Sequence, residues 1–397
     1  MNFSSPNRLG SVGLAKLLLL GMAIGASGAC SLARAELPLE QLTMEKLDTA
    51  NSSRLYLVDP AMGHIVDGRL HVIDGVQMRY LGMLGTGFAG TTVLSRDRKT
   101  LFVATTYHSR LQRGTRNDVV EVYGSDDLAF QHEIEIPPKH VQGLQTRALL
   151  ATSADDKFLL VQNATPATSV SIVDVLARRF LGEIPTPGCY GVLLWPNQPR
   201  RFSSVCGDGK LASYDFDGSG SLSASSMSQP FFDPDQDPVF MYYELVGAQL
   251  TFVSYHGQVH QIGLAGAQAE LSKPWNLLTA SEAKRGWRPG GLQLFAIDPR
   301  TDRLYVGMHD HGAEGTHKNP AKEIWVYDLK THRRVARMPG YSAVAMAISR
   351  SGKPRMFVLN GTDNRIVSLD LGGARPPAKP LARSEPLGET PVFLELH

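Results

Sequence analysis

The chain has 397 residues, 43% of them hydrophobic and 20% charged, with a formal net charge of +2. This composition excludes a disordered chain, and the near-neutral charge excludes electrostatic capture of a nucleic acid. The 38 glycines and 24 prolines imply many turns, which suits an all-β protein better than a helical one.

Residues 1–35 read as a secretory signal peptide. Their only charged residues are Arg8, Lys16 and Arg34. The uncharged stretch from Leu17 to Cys30 is short for a membrane span, and Ala33-Arg34-Ala35 puts small residues ahead of a cut before Glu36. The expected location is therefore the periplasm, with no membrane partner. Residues 36–50 read as an exposed acidic arm, and residues 51–397 as the folded domain. Processing also discards Cys30, the rival reading of which is a lipoprotein attachment site after the small residues Ser27-Gly28-Ala29. Cys189 and Cys206 then remain as an even pair. An oxidising compartment should join them, closing a short loop worth about 3 kcal/mol in the chain-entropy picture.

Within the domain a short β-rich pattern recurs, with apolar alternation ending in Asp or Gly. The copies are Leu70–Asp74, Val119–Gly124, Val170–Asp174, Leu211–Asp215, Val259–Gly263, Ile324–Asp328 and Ile366–Asp370. Their ends fall 41 to 50 residues apart, except for one gap of 65 between Gly263 and Asp328. Repeats of this size predict propeller blades, here seven. Several copies are preceded by a polar turn and an apolar strand, as in Ser95–Lys99 with Leu101–Thr106 and Ser153–Lys157 with Phe158–Asn163. Turn, inner strand and outer hairpin should make one four-stranded blade. Ser53–Asp59 reads as a second strand lacking a first, and Pro391–Leu396 as a lone last strand. The C-terminal strand is thus expected to join the first blade and close a seven-bladed β-propeller, removing open edges.

The long gap holds Lys284–Gly291 and His309–Lys318. His309, His311 and His317, with Asp310 and Glu314, offer imidazole and carboxylate donors for a metal, but Gly312, Gly315 and Pro320 give the segment the look of a solvated loop. His256 and His260 lie four apart on an expected hairpin, where helical metal-site spacing does not apply. There is no C-x-x-C-H and no G-x-S-x-G. Trp195, Trp275, Trp287 and Trp325 are dispersed in sequence, and Trp325 should be core. On the residues alone this is an exported propeller without visible catalytic equipment.

Longer stretches carry a resemblance. Thr105–Tyr123, Pro137–Gly143, Gln162–Ser169, Gly286–Gly291 and Glu314–Lys318, together with Cys189 in Gly-Cys-Tyr and Cys206 in Cys-Gly-Asp-Gly, are similar to the heavy subunit of the periplasmic quinoprotein amine dehydrogenases. The similarity is greatest to aromatic amine dehydrogenase and more distant to methylamine dehydrogenase. It implies an α2β2 complex oxidising primary, aralkyl amines to aldehyde and ammonia. It also implies that this chain carries no cofactor or catalytic residue: tryptophan tryptophylquinone would lie in a small (light) subunit, with a blue copper protein of the azurin or amicyanin type accepting electrons. In that family an aromatic residue in the turn after the first strand helps wall the substrate channel. The matching turn here is Asp59–Ile65, with Met62, Gly63 and His64 as the channel wall. The aromatic is replaced near Met62 and Gly63, while His64 matches the aromatic-amine branch. The competing reading is a periplasmic binding module or a metal-dependent, lactonase-like hydrolase without a quinone partner.

Overall fold

The computed structural model describes residues 45–48, 53–350, 352–373, 377 and 379–396. The signal peptide and most of the arm expected from the sequence lie outside these residues. Of the arm, Leu47 is half-buried, and its backbone N–H donates to the Asp126 carbonyl at 2.6 Å.

The first six strands are β1 (Arg54–Asp59), β2 (Gly68–Asp74), β3 (Arg79–Leu94), β4 (Thr100–Arg110), β5 (Arg113–Gly124) and β6 (Phe130–Ile136). They form one antiparallel sheet in sequence order, and the strand Phe393–Leu396 adds to its β1 edge, with Phe393 opposite Val58 and Leu396 opposite Leu55. Four further sheets follow among the described residues, all with antiparallel neighbours. The only α-helix described is the short α1 (Ala280–Lys284), opened by a Thr279–Glu282 capping box.

All seven repeat copies lie on strands, and local chemistry explains their common ending. The Asp74 carboxylate accepts from the backbone N–H of Val76 and Gln77 at 2.8 and 3.0 Å. Asp174, Asp328 and Asp370 close the turns after their strands in the same way. The polar turns use serine: Ser95, Ser153 and Ser349 each accept, through Oγ, the N–H of the residue that opens the following strand.

One expectation is corrected here. The apolar strand after each polar turn is not the innermost. A further strand precedes the turn, as Leu150–Thr152 precedes Ser153, and these leading strands of neighbouring sheets touch one another. The 16-residue strand β3 serves twice: Arg79–Gly87 pairs with β2 and Phe88–Leu94 with β4. Gly87 and Ala89, at φ 61° and 53°, turn the chain between the two halves. Arg333–Ile348, also 16 residues, repeats the device late in the chain.

Apolar faces are buried between successive sheets. Phe102, Val120 and Ile134 pack with Leu159, Val161 and Val173 of the next sheet. Leu55, Leu57, Ile73 and Leu394 of the first sheet pack with Phe357, Leu359 and Ile366 of the last. Each such side chain contributes roughly 1.5–3 kcal/mol by leaving water, so no sheet is stable without its neighbours.

Candidate functional site

The site begins at the end of β1. All six β1 residues are buried, including Asp59, whose carboxylate is driven into the fold by the apolar residues before it. Such a group must be satisfied by donors. Its Oδ1 accepts the N–H of Ala61 at 2.9 Å and of Thr390 at 3.0 Å, and its Oδ2 that of Glu389 at 2.6 Å. His71 Nε2 lies 3.5 Å from the same Oδ2, and His71 Nδ1 lies 3.0 Å from the Tyr80 hydroxyl. Burial pushes the Asp59 pKa up, but the bonds from His71 and the three backbone amides outweigh it and hold the carboxyl well below the usual range. Gly388 is required beside it: φ is 69°, and a Cβ there would sit 2.4 Å from Asp59 Oδ2.

After Asp59 the chain passes through Ala61, at φ 45°, into a single 3-10 turn, Met62–His64. The C-terminal segment clamps this turn. Met62 N–H donates to Thr390 Oγ1 at 2.8 Å and Gly63 N–H to Glu389 Oε1 at 3.0 Å, while His64 Nδ1 lies 2.8 Å from Glu389 Oε2. The three residues assigned to a channel wall are thus held together, and the side chain of Met62 is 55% exposed. A fixed backbone carrying an exposed, adaptable thioether chain is suited to shaping an apolar contact with another molecule.

The β4–β5 hairpin stands on the same side, because Gly68 at the end of the turn pairs with Gly87, beside the ring of Tyr107. Its tip residue Leu111 is 79% exposed, and Tyr107 is partly so. Tyr107 and Tyr123 both donate to the Glu121 carboxylate, at 2.7 and 3.0 Å.

The histidines that the sequence places in one loop differ in their surroundings. His309 is buried, with neither ring nitrogen hydrogen-bonded among the described residues, and burial pushes its pKa down. His311 is exposed beside Asp310, and His317 bonds the Tyr255 hydroxyl. No three potential ligands converge on a metal site among the described residues. Conversely, Trp287 and Trp325, far apart in sequence, meet with ring centroids 4.9 Å apart. Trp325 is fully buried, as expected, under the guanidinium groups of Arg334 and Arg337 at 4.3 and 4.2 Å. Both arginines bond Glu282, whose pKa is pushed up by burial but pulled down to about 2 by Arg334 and Thr279. Cys189 and Cys206 are bonded, directly opposite each other on adjacent strands. No helix among the described residues is long and apolar enough to cross a membrane.

Sequence reasoning missed Asp59, His71, Glu389 and Thr390. Asp59 ends a strand like many other aspartates here, and two of its donors, Glu389 and Thr390, lie 330 and 331 residues away. The lone Gly-Glu-Thr before the last strand was the available signal.

Solved structures with the same architecture set the class. Dihydro-heme d1 dehydrogenase NirN superposes with a TM-score of 0.55 at 14% identity, covering 89% of this chain and 77% of that one. The Myceliophteria thermophila Cps50 (Swd1) beta-propeller domain gives 0.54 at 10% identity, covering 83% and 100%. These likenesses define a propeller-like all-β protein. Residues 51–392 match the family described as "Methylamine dehydrogenase heavy chain (MADH)", and the chain belongs to that family. The methylamine dehydrogenase heavy chain of Methylobacillus flagellatus is 30% identical over 326 residues, 81% of this chain and 80% of the relative. That of Methylorubrum extorquens is 26% identical over 375 residues, 91% and 90%.

Proposed function

We propose that this chain is the heavy subunit of a periplasmic amine dehydrogenase. In this reading the two long strands divide the sheets into seven blades, and Phe393–Leu396 closes the ring on β1. Residues 1–35 are removed on export, 36–50 form an arm, and 51–397 are the propeller. A small subunit completes an α2β2 complex, the substrate is a primary, aralkyl amine, and a blue copper protein accepts the electrons. The observation that carries the reading is the clamped, solvent-facing Met62–His64 turn in a chain of this family: a preorganised wall that lacks only the other half of its channel.

Tryptophan tryptophylquinone does not fit this chain's own tryptophans. The one pair in contact includes Trp325, which is sealed under two arginines away from any substrate. The group belongs with the small subunit, where it would supply a carbonyl electrophile and a two-electron sink. This chain's residues orient and exclude. Asp59, Glu389 and Thr390 fix the turn, and Met62 covers apolar substrate surface and keeps water from the reacting centre. The exposed Leu111 and Tyr107 give the partner an apolar foothold on the same side.

The test is purification from the native host, followed by assay with phenylethylamine-type and short aliphatic amines. The complex should show quinone absorbance and oxidise amines, and the isolated heavy chain should do neither. Amine oxidation by the isolated chain, or its purification alone without a quinone-bearing partner, would refute the reading.

A further inference from the structure

One side chain of the turn has chemistry that a wall does not require. The His64 side chain is 75% exposed, and its Nδ1 lies 2.8 Å from Glu389 Oε2. A carboxylate only accepts, so Nδ1 carries the hydrogen and donates it. The neutral ring is thereby held as the tautomer with a bare Nε2, and that nitrogen has no hydrogen-bond partner among the described residues.

Glu389 is well placed to hold that tautomer. Its N–H donates to Asp59 Oδ2 at 2.6 Å and its carbonyl accepts from Asn364 Nδ2 at 3.1 Å, so its backbone is pinned from two sides. Its other carboxylate oxygen, Oε1, takes the Gly63 N–H. Arg69, whose charge also reaches Glu389, is paired with Asp67. Among the described residues His64 is the one basic side chain within ion-pair distance of Glu389. An imidazole oriented by an acid through one nitrogen, with the other left bare, is the arrangement of a catalytic proton acceptor.

We propose that His64 accepts the proton of the incoming substrate ammonium, with Glu389 as its positioning residue. This rests on the reading of the chain as an amine dehydrogenase subunit with the turn at its channel. A primary alkylamine arrives near neutral pH as the ammonium ion, whose nitrogen has no lone pair with which to attack a carbonyl carbon. Once a partner covers Met62 and water is excluded, that proton needs an acceptor within the channel. At His64 an N–H bond of the ammonium breaks, its electron pair stays on the amine nitrogen, and a new Nε2–H bond forms. The Glu389 carboxylate stabilises the resulting imidazolium, and the proton returns to solvent when the product leaves. The chain thereby gains one chemical step besides orientation and the exclusion of water.

Amines of similar shape and different basicity test this in the purified complex. Phenylethylamine is mostly protonated at neutral pH. Its difluoro analogue, fluorinated on the carbon next to the ring, is far less basic and keeps the hydrogens that oxidation removes. His64→Gln, whose amide can still donate to Glu389, should lower kcat/KM for phenylethylamine about tenfold or more and leave the difluoro analogue within about twofold. A merely structural role would depress both equally. Nitrogen NMR of the intact chain with labelled histidine gives a readout without catalysis. The neutral His64 ring should carry its hydrogen on Nδ1, and Glu389→Gln, whose amide can donate to that nitrogen, should move the hydrogen to Nε2. Equal losses for the two amines, no loss for phenylethylamine, or a tautomer that Glu389→Gln leaves unchanged would overturn the role of His64 while the amine dehydrogenase reading stands. If the unsubstituted complex oxidises neither amine, that reading fails and the ammonium role falls with it.

Discussion

Replacing Asp59 by alanine leaves the amides of Ala61, Glu389 and Thr390 without their acceptor. Each buried donor left unsatisfied costs about 1–3 kcal/mol, so Asp59→Ala should lower Tm by several degrees or more, read by thermal unfolding. The same residue sets an acid limit. Its carboxyl is held well below the ordinary range in the folded chain, so the unfolded chain takes up the proton first as pH falls. The stability it contributes is complete above the ordinary carboxylate range and declines below it. The alanine variant should therefore show a shallower loss of stability between about pH 4 and pH 2; equal slopes would remove Asp59 from that role. Met62 and Gly63 separate two effects. Met62→Phe adds bulk without disturbing Glu389, and should lower kcat/KM for arylalkyl relative to short aliphatic amines by roughly tenfold in the complex. In Gly63→Phe the new Cβ would sit 2.4 Å from Glu389 Oε1. That variant must displace the clamp, so it should lose stability as well as change selectivity. Identical selectivity in wild type and Met62→Phe would remove the turn from the channel.

At the scale of the element, the sequence was most legible where a run is long enough to show its period. Leu70–Asp74 or Ile324–Asp328 alternates over enough positions to declare a strand, and its final Asp declares the turn that the carboxylate closes. Leu150–Thr152 and Glu244–Val246, at three residues each, cannot show a period of two. These two leading strands therefore escape a reading by period, and the strands after the polar turns take their place in the expected blade. The site divides in the same way. Met62, Gly63 and His64 could be picked out as one contiguous turn, whereas the clamp on them depends on a strand pairing between the two ends of the chain. Cys189 and Cys206 were accessible from their number alone, and the structure adds that they face each other across adjacent strands. Cys206→Ser should therefore destabilise the sheet by about 3 kcal/mol in the chain-entropy picture. Intact mass before and after reduction checks the bond directly, and two free thiols in protein purified from its native compartment would contradict it.

For the whole molecule, the last strand bears more than its own burial. Its backbone is paired with β1, and Gln293, itself fully buried, holds Leu394 from the other side: the side-chain oxygen accepts the Leu394 N–H at 2.8 Å, and the amide nitrogen donates to the Leu394 carbonyl at 3.0 Å. Leu394 also sits in the core shared by the first and last sheets. Truncation before Pro391 would remove all of these at once, exposing the β1 edge and taking both Leu394 bonds from the buried Gln293 amide. In an architecture whose sheets are stable only against their neighbours, such a loss should spread rather than stay local. Thermal unfolding should show one cooperative transition at a markedly lower Tm, accompanied by aggregation through the exposed strand edge. The Gln293→Ala variant provides the intermediate case, because it frees the Leu394 backbone but keeps the strand, and its Tm should fall between those of the truncated and complete chains. If the truncated chain melts like the complete one, the pairing of Phe393–Leu396 with β1 does not hold the sheets together.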